Sequence, residues 1–174
     1  MVDTVLIDTL NLRARDFAVR WKDYVRESPQ LKHYNELDDF ILVEADMPFY
    51  SLLARTLDKG MDLSVIGEFF VALGRRRMRD GFPISEVIFA INLFQRTIVE
   101  YLMTEFAPES PERMKQSMWV LTKLAEFCML GSFYTYKGFT DGMFTSMNVP
   151  ERVSEELLGK YFKDDFVSDG GFKD

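Results

Sequence analysis

Cysteine and histidine are almost absent: the 174 residues hold one of each, Cys128 and His33. A lone cysteine cannot close a disulfide within the chain, which fits a reducing compartment. Its neighbours at helical spacing are Leu121, Leu124 and Gly131. No cation is placed there to lower a thiol pKa, so Cys128 is expected to be a buried core residue. With one histidine, Ser-His-Asp and Cys-His arrangements have only His33 to draw on, and no nucleophile elbow is present. Zinc sites and Glu-x-x-His di-iron bundles lack their ligands for the same reason. EF-hand loops and glycine-rich phosphate cradles are missing too. No run of about 18 uncharged apolar residues exists, so no membrane insertion is expected. Asp3, Asp8, Arg13, Arg15 and Asp16 are wrong for a signal peptide. The expected location is cytoplasmic.

Core-forming material is plentiful. Apolar residues make up 47% of the chain, with 16 Phe, 10 Met and 7 Tyr, enough for one packed domain at this length. The formal charge is −7, from 21 basic and 28 acidic residues. Such a balance repels polyphosphate, and nucleic acid is not expected as a partner.

The apolar spacing is helical throughout. Val5, Leu6, Leu10, Phe17, Trp21, Tyr24 and Val25 predict an amphipathic helix over 3–27, closed by Ser28-Pro29. Glu36–Asp39 reads as a solvated helix start. Asp46-Met47-Pro48 reads as a cap with proline in the first turn, opening a helix that ends at Gly60. Asp62 caps a helix that buries Leu63, Ile66, Phe69, Phe70 and Leu73 and runs through the arginines to Gly81. Gly81-Phe82-Pro83 connects to a long helix from Ile84 to Leu102, with Pro108 beyond it. Ser110-Pro111-Glu112 is a strong start for a further long helix near 111–145. Glu151–Phe162 predicts a last short helix, and the segment after it is polar and glycine-bearing. The fold class is therefore all-α, five to six helices in one domain over 1–163, with 164–174 as a polar tail or linker.

Three features stand out. Arg75, Arg76, Arg77 and Arg79 form the densest charge cluster: a solvated helix end suited to the helix dipole, or a contact for an acidic partner. Gly131, Gly138 and Gly142 fall within one predicted helix, where each glycine costs about 1 kcal/mol. A close approach by a neighbouring helix accounts for them, as does a kink or helix end. If the approach is intermolecular, these glycines form a dimer face. His33, between the first helices, reads as a loop residue rather than a haem ligand.

The stretch from Phe70 to Ile98 joins a helix ending in Leu73-Gly74-Arg75 to a Gly81-Phe82-Pro83 turn, Glu86-Val87 and a long apolar helix. It resembles the N-terminal sensory domain of RsbR/RsbRD-type proteins, the RsbT co-antagonists of bacterial stressosomes. The resemblance implies a globin-like helical domain without haem, dimeric, that transmits a signal rather than catalysing a reaction. It carries no ligand residue onto this chain. The expected function is thus a non-catalytic sensory or interaction module. It would need no cofactor, form a homodimer, bind a signalling protein partner and have room for an apolar small ligand in an aromatic- and Met-lined pocket. The alternative is a helical carrier or sensor of a small molecule or cofactor, haem included.

Overall fold

The computed structural model describes residues 4–105 and 110–147. Among them there are seven helices: α1 (Thr4–Leu12), α2 (Ala14–Glu27), α3 (Lys32–Asn35), α4 (Asp39–Lys59), α5 (Leu63–Arg79), α6 (Ile84–Thr104) and α7 (Pro111–Ser146). The all-α reading holds. Pro108 and the Glu151–Phe162 helix lie outside the described residues, as does the 164–174 tail.

The single helix expected over 3–27 is divided at Arg13, whose φ of −107° and ψ of 18° leave the helical region. Hydrogen bonds from Arg13 N to Thr9 O and from Phe17 N to Arg13 O carry the chain through the bend. The bend lets both α1 and α2 pack against α4.

α4 starts seven residues before the expected cap. Asp38 is the N-cap, accepting from Phe40 N at 2.8 Å. Asp46 lies inside the helix and is buried, and Pro48 follows it within the same helix. Pro48 removes the helical donor to the Glu44 carbonyl and is tolerated because both residues lie on the exposed side of the helix. Asp-x-Pro has the local chemistry of a helix start, but burial of Leu42 and Val43 keeps the preceding turns helical.

Other terminal signals act as read. Gly60 ends α4 with φ of 89° and donates to Thr56 O. Asp62 accepts from Ser64 N and Val65 N, and Ser110 accepts from Arg113 N. Asp62→Ala is expected to lower stability by about 1 kcal/mol, seen as a lower urea midpoint at constant m. α5 closes in a Schellman turn: Phe82 N donates to Arg77 O, Gly81 N to Met78 O, and Gly81 takes φ of 81°.

A continuous aromatic cluster joins the helices. Phe49 meets Phe69, Phe70 and Phe94, and Phe127 bridges Phe70 and Phe94. Cys128 is buried beside it, and burial pushes its thiol up to about 12. α7, about 54 Å long at 1.5 Å per residue, lies along α5 and α6 and presents its other face to solvent.

Candidate functional site

The arginine run does not form one patch. Successive helical residues point about 100° apart, so the four side chains diverge. Arg75 is exposed and pairs with Asp141 of α7, Nε to Oδ2 at 2.6 Å. Arg76 and Arg79 are exposed. Arg77 turns inward and is only 9% exposed, so it leaves the expected partner contact. Its guanidinium stacks 5.0 Å from the Tyr34 ring and 4.7 Å from the Phe82 ring. Spacing alone signals this: Phe70, Leu73 and Arg77 share one helical stripe.

Arg77 enters a narrow cleft of about 20 Å³ between α2, α3, α4, α5 and α6. Trp21, Tyr34, Phe49 and Phe94 supply aromatic walls, and Asp46 faces the same space. No methionine lines it, so the expected Met-lined apolar pocket is not what this cleft provides. Asp46 and Arg77 make no ion pair with each other, and Asp46 Oδ2 and Arg77 Nε lack hydrogen-bond partners. Burial holds the Asp46 carboxyl well above its usual range. Tyr50, one turn along α4, is also raised, by burial first and then by the Asp46 carboxyl. Tyr34 rises to about 12 through burial, which the nearby Arg77 only partly opposes.

His33 sits on the single turn α3. Its backbone N–H donates to Glu86 Oε2 at 3.0 Å, and its Nδ1 lies 2.8 Å from Glu86 Oε1. The carboxylate of α6 thus fixes the α2–α4 connection. No group of three or more His, Cys, Asp and Glu converges as a metal site among the described residues.

The close approach foreseen at the glycines is intramolecular: the neighbour is α5. A Cβ on Gly138 would be driven into the Val71 carbonyl, and one on Gly74 into that of Thr135. Gly131 lies under the Phe70 ring and Gly142 under the Met78 methyl. Gly131, Gly138 and Gly142 are buried by their own chain, which places them away from any second copy in this packing. Gly74 was the partner that the sequence reading missed, and its spacing of seven from Gly67 mirrors that of Gly131 and Gly138.

A more exposed side of α7, on which only Ser132 and Phe139 are half-buried, carries a different signal. Met118, Thr122, Ala125, Met129, Ser132, Tyr136, Phe139 and Met143 recur at alternating steps of four and three. Met118 and Met129 are about half exposed. This heptad spacing keeps one seam along a helix.

The family model of the RsbT co-antagonist protein rsbRD N-terminal domain matches residues 47–137, just over half of the chain. The chain belongs to this family. No curated protein and no solved structure matches it significantly. The RsbRD-type match begins one residue after Asp46 and takes in α5, α6, the arginines and Gly131. It thus covers most of the cleft and of the α5–α7 seam. The family is one of stressosome-type signalling domains. No helix among the described residues is long and apolar enough to cross a membrane.

Proposed function

We propose that this domain is a non-catalytic sensory and interaction module of bacterial stressosome signalling, cytoplasmic and globin-like, working as a homodimer. The family supports signalling, and the exposed heptad stripe of α7 supports self-association. From Ala125 to Tyr136 its positions alternate small and large, Ala125 and Ser132 against Met129 and Tyr136, before Phe139 and Met143 close the stripe with large residues. A second copy can set its large residues against these small ones, the self-complementarity that a two-fold contact requires. This moves the expected dimer face from the glycines to an adjoining, more exposed side of the same helix. A signalling partner with an acidic surface would meet Arg76 and Arg79, because Arg75 is engaged by Asp141 and Arg77 is buried.

Sedimentation velocity tests the reading directly. The wild-type chain at tens of micromolar is expected to run as a dimer. Met129→Glu is expected to weaken the dimer about tenfold or more, since it places like charges across a two-fold contact. The substituted residue is exposed, so the monomer should keep its helical circular dichroism. A wild-type monomer at that concentration would falsify the homodimer.

A further inference from the structure

Two buried polar atoms of residues that line the cleft, the Asp46 Oδ2 and the Arg77 Nε–H, have no hydrogen-bond partner. Native interiors rarely leave such groups unmatched, and a pair of them facing one space marks a site for a third group. The charges define that group. Arginine stays protonated, and the ion pair of Arg77 is with Asp80, 3.9 Å away on a half-exposed side chain. Glu86 is engaged by His33. Asp46 is the one acid lining the cleft, and its burial favours the uncharged carboxyl. The space therefore offers two donors and an excess of positive charge.

Size narrows the choice. About 20 Å³ admits one water-sized group, a single oxygen of a larger ligand whose remainder stays at the mouth. Among the lining residues, Ala45 and Leu73 are partly exposed, and they mark an apolar mouth between α4 and α5. We propose that this cleft binds a short aliphatic monocarboxylate, one oxygen of which enters between Asp46 and Arg77 while its alkyl end stays beside Ala45 and Leu73. α5 connects the cleft to the rest of the domain. It holds Arg77 inside while its Gly74 touches the backbone of α7, so a displacement at Arg77 reaches α7 without slack. Only that consequence rests on the signalling reading; the binding itself does not.

Trp21 lines the cleft and donates from Nε1 to Ala90 O at 3.0 Å. The chain has two tryptophans, so Trp119→Phe leaves Trp21 as the reporter. The 174-residue chain carrying Trp119→Phe is titrated with sodium acetate and propionate. Acetamide and propionamide serve as uncharged isosteres, and sodium chloride matches the ionic strength. A saturable change in Trp21 emission is expected with the carboxylates, about tenfold weaker with the amides, and absent with chloride. Arg77→Met is expected to abolish it. Arg77→Lys, which keeps the charge without the Nε–H, should weaken binding about fivefold or more and serves if the Met variant does not fold. No saturable response, equal responses to amides and carboxylates, or an unchanged response in Arg77→Lys would each overturn the proposal. Sedimentation of the same samples keeps the outcomes apart: a failed titration on an intact dimer removes the carboxylate site and leaves the signalling role standing.

Discussion

Gly138→Ala is expected to destabilise the domain by about 3 kcal/mol, a fall in Tm of roughly 6–12 °C for a chain of this size. The added methyl would be driven into the Val71 carbonyl oxygen and lie 2.8 Å from Val71 C and Cα. All three atoms are backbone, so no rotamer change relieves the clash and α5 must move away from α7. Gly74→Ala should cost as much, because its Cβ meets Thr135 O and comes within 2.7 Å of Phe139 N. Gly142→Ala makes the contrast. Its Cβ would come within 2.7 Å of the Met78 Cε, the far end of a flexible side chain that can swing aside. There the helix-propensity gain of about 1 kcal/mol offsets the repacking, and the variant should stay within about 1 kcal/mol of the parent. Urea unfolding of the three variants checks this order. Equal losses at Gly142 and Gly138 would show that the seam is not held by backbone contact.

The glycines also show what a sequence can and cannot carry. Their spacing on α7 announces a helix face stripped of side chains, and hence a close neighbour. It does not name that neighbour, since intra- and intermolecular contacts impose the same demand for small residues. The complement lay on α5, where Gly67 and Gly74 repeat the spacing of seven, and pairing the two repeats points to α5. Caps such as Asp62 and Ser110 were legible because their chemistry is local: an oxygen, a free N–H and two or three residues. Asp46 was misread for the same reason. Asp-Met-Pro satisfies every local rule for a helix start, and only the tertiary burial of Leu42, Val43 and Asp46 itself overrides it. Arg77 was legible in principle. Its run reads as a charged surface by composition, but its phase with Phe70 and Leu73 places it inside. The orphaned Asp46 and Arg77 atoms were not legible, because they depend on five helices meeting at one point.

Asp46→Asn is expected to raise stability at neutral pH by about 2 kcal/mol and to do almost nothing in acid. The sign follows from the direction of the carboxyl shift. Burial raises the folded-state pKa of Asp46 well above its ordinary value of 3.8. Between 3.8 and that higher value, the folded chain holds a proton that the unfolded chain has released. Wild-type stability therefore falls as pH rises through this window, and it levels off once the folded-state carboxyl ionises. Below 3.8 both states are protonated and the contribution of Asp46 is fully present. Asparagine cannot ionise, so the variant loses this slope and its advantage grows from acid to neutral pH. The substitution breaks no ion pair, because Asp46 does not pair with Arg77. Urea midpoints of parent and variant at pH 4.5, 6 and 8, in carboxylate-free buffers, measure the effect. An Asn variant less stable than the parent at pH 8 would mean that ionised Asp46 is the counter-ion of Arg77, and the positive excess assigned to the cleft would vanish. A difference that widens with pH in favour of asparagine leaves Arg77 without Asp46 as a buried counter-ion, the condition under which an incoming carboxylate gains most.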